Sequence, residues 1–441
     1  MTELMIARMQ FGMSIGIHYL FPIATLGLTL LIVIFETLYI TKREELYRTI
    51  SSFLVKMLSL IFVAGVATGL LMPFSIGANW ARFSSYAGAV FGPIIAVEAI
   101  TAFALESAFI AILLFGRNRV SPFVYWLSAV LVFFGAHLSG FWIVAANSWL
   151  QTPAGFVIEE GKVVLTSLSQ ALWNHSTLVR FIHVVTAAWV TGAFIVVGVA
   201  GYYLARARHE AFARKLMTIA LPIALATAVA QPVIGHFHIM QVLEHNPEKD
   251  AAYEGVFKSV NGAPLLAFGI PDEKNQTIHL ALGAPYVLSL LESGDPMGHV
   301  KGLEEFPREN WPPVNVIFTT FHLMIMSGVV MIAVAAFGVF LMWRRKLYQT
   351  RWYLRLLPWL IPLPFFANEV GWIGTEIGRQ PWMIYGVMRT ADASTITLPL
   401  WQLVVSFVGI LLVYLAITVL TLMAVKKVIQ KGPPNPRPLE K

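Results

Sequence analysis

The sequence contains no cysteine, and charged residues make up only 12% of its 441 positions. Without thiolates the chain cannot form disulfides, thiolate-bound zinc sites, iron–sulfur clusters or a covalent CxxCH haem attachment. Any bound metal must therefore be held by His, Met, Glu or Asp. Hydrophobic residues account for 57% of the chain, which is more apolar surface than a soluble fold can bury. We therefore expect a membrane protein.

The net charge of +7 does not indicate nucleic-acid binding. The basic residues form short clusters between apolar runs and are not gathered on one soluble face, so they are interpreted as signals of membrane topology. No nucleic-acid partner is expected.

Nine apolar stretches are long enough to cross a bilayer as helices, each of about twenty residues or more. The sequence thus predicts an all-α polytopic membrane protein with nine transmembrane helices: Phe11–Ile40, Phe53–Ile76, Gly88–Gly116, Pro122–Asn147, Leu178–Ala205, Leu216–Gly235, Val314–Met342, Leu354–Trp372 and Leu400–Val425.

Basic clusters occur in every second connection between these stretches and after the last one. By the positive-inside rule those connections are cytoplasmic, so the N-terminus is expected outside and the C-terminus inside. The longest connection, His236 to Pro312, holds 11 acidic and 5 basic residues and is expected outside. The predicted organisation is spans one to six in 1–235, an outer loop in 236–312, spans seven to nine in 313–425, and a cytoplasmic tail in 426–441.

Four residues in the predicted spans are candidate metal ligands or neighbours of a metal. His18 and His183 lie at similar depths from the outer surface, and a second histidine at matching depth strengthens the interpretation of both as ligands. His322 and Met324 are two residues apart and point about 200° apart on a helix, so at most one of them can face a given centre.

The eighth span ends with an acidic and aromatic stripe. Glu369, Trp372 and Glu376 are spaced i, i+3 and i+7, which places them on one helical face. An interfacial aromatic belt would explain the tryptophan but not two carboxylates in register with it.

The third span contains two carboxylates, Glu98 and Glu106, eight residues apart. On a regular helix they are about 12 Å apart along the axis and about 80° apart around it. They suit a proton relay through the membrane, and the alternative is a structural pair of hydrogen-bonding groups.

These residues lie in motifs that resemble subunit I of the cytochrome bd quinol oxidases along essentially the whole chain. GRQPW is the most specific of them. In chain order the matching stretches are Arg8–Gln10 with His18–Pro22, Gly77–Trp80, Glu98–Ser107, Trp142–Gln151, Arg180–His183, Pro247–Gly255, Phe268–Asp272 and Gly378–Trp382.

The resemblance implies roles for individual residues. His183 and Met324 match the ligands of a low-spin haem b, and His18 and Glu376 match the ligands of a high-spin haem b and of a haem d or further haem b, which together reduce dioxygen. The quinol-linked loop residues are Lys249 and Glu254. Glu98 and Glu106 match the proton route. The remaining candidates are Glu369 and Arg379 as catalytic residues, and Trp372 and His322 as neighbours of the cofactors.

The family also implies activity and partners. The expected activity is that of a quinol:oxygen oxidoreductase, a terminal respiratory oxidase of the bacterial inner membrane. Its partners would be quinol, dioxygen, the lipid bilayer, a second integral-membrane subunit and a small single-span subunit. The outer loop resembles the branch of the family that lacks a long quinol-loop insertion.

Two positions depart from the family pattern. The family usually has Arg two positions before the Met ligand, where this chain has His322, which leaves open whether His322 or Met324 binds iron. The family tends to carry Gly-Asp at the start of the outer loop, where this chain has Gly235-His236.

Two other functions are compatible with the residues alone. A proton-coupled transporter would use Glu98, Glu106 and Glu369 and would be colourless. A non-catalytic haem b subunit for electron transfer would contain only low-spin haem and would not bind carbon monoxide.

Overall fold

The structure, a computed structural model, describes residues 3–395 and 398–434. Within these ranges nine helical segments are long and apolar enough to cross a membrane, as the sequence predicted. They are Glu3–Lys42, Glu45–Asn79, Ala81–Phe115, Pro122–Gln151, Thr177–Ala205, Glu210–His245, Val314–Trp343, Arg351–Ile377 and Leu400–Lys431. Parts of the predicted domains lie outside the described residues: 1 and 2 at the start, 396 and 397 before the ninth span, and 435–441 of the tail.

The α-helices are α1 (Glu3–Lys42), α2 (Glu45–Gly69), α3 (Met72–Asn79), α4 (Ala81–Val97), α5 (Ala104–Phe115), α6 (Pro122–Gln151), α7 (Leu168–Leu172), α8 (Thr177–Ala205), α9 (Glu210–His245), α10 (Pro247–Glu254), α11 (Val287–Ser293), α12 (Val314–Trp343), α13 (Arg351–Leu356), α14 (Pro362–Ile377), α15 (Thr390–Ala393) and α16 (Leu400–Lys431). A π-helical segment, Glu98–Phe103, joins α4 to α5, and a 3₁₀ segment, Leu357–Leu360, follows α13.

Short antiparallel hairpins and pairs supply the only strands in the described part of the chain. The strands are β1 (Phe156–Glu159) with β2 (Lys162–Leu165), β3 (Val260–Asn261) with β6 (His299–Val300), β4 (Leu265–Asp272) with β5 (Thr277–Ala284), and β7 (Trp382–Ile384) with β8 (Met388–Arg389).

The sixth membrane helix is longer than predicted. Helix α9 continues through His236 and His238 and ends at His245, so the first ten residues assigned to the outer loop are helical. The polar side chains in this stretch suggested a loop, but the chain first breaks at Asn246-Pro247, where Pro247 opens α10. Lys249 and Glu254 therefore lie on a helix.

Helices α1 and α8 form the centre of the bundle through direct backbone contact. A Cβ added at Gly27 would lie 2.2 Å from the Ala188 carbonyl oxygen, and one added at Gly192 would lie 2.3 Å from the Gly27 carbonyl carbon. Only glycine fits at these two positions. Helix α16, by contrast, lies at the edge of the bundle, and of its 32 residues only Leu403 and Tyr414 are buried.

The two ends of the bundle differ in charge and structure. At one end, the basic end, the connections contact each other: Arg117 pairs with Glu36 at 2.6 Å, and Lys215 pairs with Glu44 at 3.1 Å. At the other end, the loop end, residues 152–176, 246–313 and 378–395 pack together. Asn246 donates a hydrogen bond to the Gln151 carbonyl, and Tyr385 donates one to Glu248.

Candidate active site

A buried polar network joins helices α6, α8 and α14 at the loop end. Arg180 Nη2 donates to Asn147 Oδ1 at 2.5 Å, and Asn147 Nδ2 donates to Glu376 Oε1 at 2.8 Å. Arg379 Nη2 donates to the other oxygen, Glu376 Oε2, at 2.6 Å. Arg180 and Arg379 are both buried, so the network satisfies charges that would otherwise be costly to remove from water. Each carboxylate oxygen of Glu376 keeps a further lone pair with which to bind a metal.

Lys249 of α10 lies beside this network and bonds to the residue that precedes Glu376. Its Nζ donates to Gln151 Oε1 at 3.0 Å and to the Thr375 carbonyl oxygen at 3.1 Å. Lys249 is 3% exposed. Burial lowers the pKa of Lys249 well below its usual range; Arg180 adds to that effect and Glu376 opposes it. Lys249 is therefore part of the packed interior of the loop end and is not in a solvated charged turn.

Glu254 leaves helix α10 on a different side from Lys249. Five residues on an α-helix correspond to a rotation of about 140°. Glu254 is 5% exposed, and its Oε2 has no hydrogen-bond partner among the described residues. Burial, and then the neighbouring Glu292, raise the pKa of Glu254 to about 8. A carboxyl with this pKa is a stronger base than an ordinary glutamate and exchanges its proton at a pH near neutral.

The predicted low-spin ligands lie on helices α8 and α12. His183 Nδ1 is buried without a hydrogen-bond partner in the part of the chain that the structure describes. The His183 ring lies 5.3 Å from the ring of His238 on α9. Met324 faces α14, since a Cβ added at Gly371 would lie 2.7 Å from its sulfur.

His322 points away from Met324, as the helical spacing predicted. Its Nδ1 lies 2.8 Å from the Phe318 carbonyl oxygen and its Nε2 lies 3.1 Å from the Leu266 carbonyl oxygen. Leu266 belongs to β4, so His322 attaches the loop to helix α12. Both ring nitrogens therefore face backbone carbonyl oxygens.

His18 and the acidic stripe of α14 contact different sides of α1, since Gly16 and His18 point about 200° apart on the helix. His18 Nδ1 lies 2.9 Å from Thr68 Oγ1 on α2, which fixes the ring and leaves Nε2 as the candidate metal-binding atom. A Cβ added at Gly16 would lie 3.2 Å from Glu369 Oε2 and 3.9 Å from Trp372. The stripe thus faces α1 through Glu369 and Trp372, and α6 through Glu376.

Glu98 and Glu106 face the same strip of α6. Ser139 Oγ donates to Glu98 Oε1 at 2.6 Å, and a Cβ added at Gly135, one turn earlier, would lie 3.2 Å from Glu106 Cβ. The predicted separation of about 80° assumed a regular helix. The π-helical segment Glu98–Phe103 has a wider turn and brings both carboxylates toward one neighbour. Glu106 is buried, and its Oε1 lacks a partner within the described ranges.

Three further residues belong to these sites and were not predicted from the sequence. His238 lies against His183, and Asp250 and Glu292 lie near Glu254. The spacing of Asp250 and Glu254, i and i+4, would have placed them on one face had the segment been recognised as a helix. Glu292 lies 38 residues from Glu254, and no local pattern joins the two.

The donor atoms present fit haem iron. The chain has no thiolates, but it offers imidazole, thioether and carboxylate groups, all of which bind haem iron. The hydrogen bond between His18 Nδ1 and Thr68 orients the ring so that Nε2 is free to bind a metal. The unpartnered Nδ1 of His183 and the unpartnered Glu369 Oε1 are buried polar atoms that a bound group could satisfy.

Known proteins resemble this chain over nearly its full length. The cytochrome bd terminal oxidase subunit I family matches residues 6–433. The cytochrome bd ubiquinol oxidase subunit 1 of Bacillus subtilis is 36% identical over 98% of this chain and 94% of its own length. The cytochrome bd-II ubiquinol oxidase subunit 1 of Escherichia coli is 29% identical over 97% and 96%.

A solved structure gives the same result for the fold. The bd oxidase from Geobacillus thermodenitrificans superposes with a TM-score of 0.92 at 27% identity, covering 98% of this chain and 99% of the other. These matches confirm the predicted family and nine-helix fold, and among the predicted functions they support the respiratory quinol oxidase. The family implies haem cofactors and a membrane partner subunit. The chain belongs to the cytochrome bd terminal oxidase subunit I family, and it is therefore part of a respiratory quinol oxidase of the bacterial inner membrane.

Proposed function

We propose that this chain oxidises quinol at its loop end and carries three haems that deliver the electrons to dioxygen. The observation that supports this most is a buried polar cluster in which Lys249 donates to the carbonyl oxygen of Thr375, the residue before Glu376, and Glu376 is linked through Asn147 to Arg180. This cluster joins the loop to α14 next to Glu376, which is one proposed haem ligand. It also reaches α8 at Arg180, one turn before His183, which is another proposed ligand. The loop and the proposed ligands thus form one connected unit.

At the loop, Glu254 acts as the proton acceptor for quinol and Lys249 as a donor that positions the site. Glu254 suits this role because its buried oxygen is unpaired and burial raises its pKa to about 8. Two relatives are named ubiquinol oxidases, so ubiquinol is the first substrate to test.

We assign His183 and Met324 to the low-spin haem b, and His18 and Glu376 to the high-spin haem b and to the haem d or further haem b. His322 is left out of the ligand set because both its nitrogens face carbonyl oxygens. Haem bound to these residues supplies electron transfer and dioxygen binding. Trp372 and Glu369 pack beside α1, and Arg379 holds Glu376 in place.

Glu98 and Glu106 carry protons toward the oxygen-reducing site. In this proposal the basic end is cytoplasmic and the loop end, with the N-terminus, lies outside. A second membrane subunit and a small single-span subunit complete the assembly.

The quinol site is tested with two electron donors. Lys249→Ala and Glu254→Ala should each lower the rate with ubiquinol, by about 100-fold for the proposed base. The rate with tetramethylphenylenediamine, which gives electrons without protons, should stay near wild type. Lys258→Ala is the matched control because Lys258 lies in the same loop and is exposed.

An equal loss with both donors would contradict a quinol-specific role for these residues. The haem assignment is tested separately by the visible spectrum of the purified oxidase, reduced and then exposed to carbon monoxide. A spectrum with only low-spin signals and no carbon monoxide shift would contradict the proposed oxygen-reducing site.

A further inference from the structure

Three carboxylates from two separate helices face one small cavity at the loop end. The cavity is about 40 Å³ in volume. Asp250 and Glu254 of α10 and Glu292 of α11 line it, and His236 of α9 closes another side. The remaining wall is made of apolar side chains from α9, β4 and α11. A cavity of this size has room for about one water molecule.

Two of the three carboxylates have an oxygen that the protein around them does not satisfy. Glu254 Oε2 and Glu292 Oε1 are both buried without a hydrogen-bond partner among the residues described. Buried polar atoms are nearly always paired, so an unpaired set around a cavity indicates a function or a bound water. Burial raises the pKa of Glu292 to about 7 and that of Asp250 well above its usual range, and Glu292 also contributes to the upward shift at Asp250 and Glu254.

Quinol oxidation produces more protons than one carboxylate can hold. Each quinol loses two O–H protons and two electrons as it becomes quinone. In the proposed function the electrons go to the haems and Glu254 takes a proton. Glu254 must then be emptied before it can accept the next proton, and it is 5% exposed.

We propose that Glu292 is the proton-exit residue of the quinol site, which takes each proton from Glu254 and releases it to the water outside the loop end. Glu292 suits this step because it shares the cavity with Glu254 but is only partly buried. The proton moves from Glu254 Oε2 to Glu292 Oε1, directly or through one water, and no electrons move in this step. The inference rests on the proposed role of Glu254.

The other titratable groups facing the cavity are Asp250 and His236. His236 occupies the position where the family tends to carry an acidic residue. In this chain α9 therefore brings a histidine to the cavity, and the carboxylates come from α10 and α11. Asp250→Asn and His236→Gln therefore belong in the same experiment, to show which group empties Glu254.

The test is Glu292→Gln in the complete oxidase, assayed with ubiquinol and with tetramethylphenylenediamine across pH 5.5 to ~9, a range that brackets both carboxyl pKa values. We expect kcat with ubiquinol at pH 7 to fall about tenfold with KM within about twofold, a smaller loss than for a direct base. The phenylenediamine rate should not change. The part of the rise in the ubiquinol rate that occurs near pH 7, where Glu292 loses its proton, should disappear, because glutamine cannot accept one. Glu292→Asp should recover much of the loss.

A second measurement does not depend on turnover. Infrared titration of the Glu254 carboxyl band, identified by its loss in Glu254→Gln, should show a lower pKa in Glu292→Gln, because a neighbouring negative charge has been removed. Glu244→Gln is the matched control, since Glu244 lies at the same end of α9 and is exposed outside this cavity.

Unchanged pH dependence with ubiquinol in Glu292→Gln would overturn the inference, as would an equal loss with both donors, which would indicate a structural role. A larger loss in Asp250→Asn or His236→Gln than in Glu292→Gln would overturn it too, because the exit would then use that group. The two-donor assay of Glu254→Ala tests the proposed quinol site separately, so that site can stand even if the role of Glu292 is wrong.

Discussion

The chain contains two groups of buried carboxylates, and they are built in different ways. Glu98 and Glu106 lie on one continuous membrane helix and face one strip of α6, at Ser139 and Gly135. Asp250, Glu254 and Glu292 come from two short helices of the loop and meet around a cavity. The first group lies along the membrane path expected for proton uptake, and the second lies at the end where quinol protons would leave. In the proposed function the same chemical group therefore serves two proton routes, and the two electron donors distinguish them.

Replacing the proposed ligands of the low-spin haem, His183 and Met324, should have the largest effect. Met324 faces α14, whereas His322 attaches α12 to the loop. His183→Ala or Met324→Leu should therefore abolish one low-spin haem signal and leave a carbon monoxide-reactive site, because His18 and Glu376 lie on other helices. His322→Leu should keep the low-spin spectrum. Reduced visible spectra of the purified variants make the comparison, and loss of the low-spin signal in His322→Leu would make His322 the ligand.

The membrane carboxylates should affect both donor reactions. Glu106→Gln is expected to slow oxygen reduction about 100-fold with ubiquinol and with tetramethylphenylenediamine, since reducing oxygen to water consumes protons whichever donor is used. Haem content should be unchanged. Ser107→Ala is the control at the adjacent position, where a polar side chain does not titrate. If Glu106→Gln spared the phenylenediamine reaction, Glu106 would have no place in proton uptake.

Opposite locations for uptake and release also predict a membrane potential. With uptake from the basic end and release at the loop end, turnover should transfer about one charge per electron, each worth roughly 2.3 kcal/mol per 100 mV. The measurement is the potential generated by the oriented oxidase in proteoliposomes fed with ubiquinol. Oxygen consumption without any potential would mean that both routes open on the same side.

The smallest expected effect concerns the serine beside Glu98. Ser139→Ala removes the donor to Glu98 Oε1 and leaves the carboxylate with one fewer bond. We expect a loss of about two- to fivefold in oxygen reduction, equivalent to about 0.5–1 kcal/mol, which is within the range of one hydrogen bond. Steady-state oxygen consumption is sufficient to detect it, and no change would show that Glu98 does not need this serine.

The sequence could predict the membrane region well because its signals are local. Each span is a run of apolar residues, and each carboxylate within a span is conspicuous against them. The exception was the relative direction of Glu98 and Glu106, because a π-helical segment cannot be recognised from spacing that assumes 3.6 residues per turn.

The loop was predicted less completely for a physical reason. Residues 236–245 are polar enough to suggest a loop, yet they remain helical in contact with neighbouring elements, and Lys249 is buried against α6 and α14. Tertiary packing determines both the helical continuation and the burial of Lys249, and it cannot be predicted from composition. Glu292 was not considered because its partners lie 38 and 42 positions away, on α10, and only the folded loop brings them together.

The glycine contact at the centre of the bundle has a consequence for electron transfer. His18 lies nine residues before Gly27 on α1, and His183 lies nine residues before Gly192 on α8, so each proposed ligand is about 13.5 Å along its helix from the same contact. The distance between the two irons they hold would then depend on how closely the two backbones approach at that point. A single methyl group added there would push the helices apart, and because electron tunnelling weakens steeply with distance, it would slow transfer between haems that it never touches.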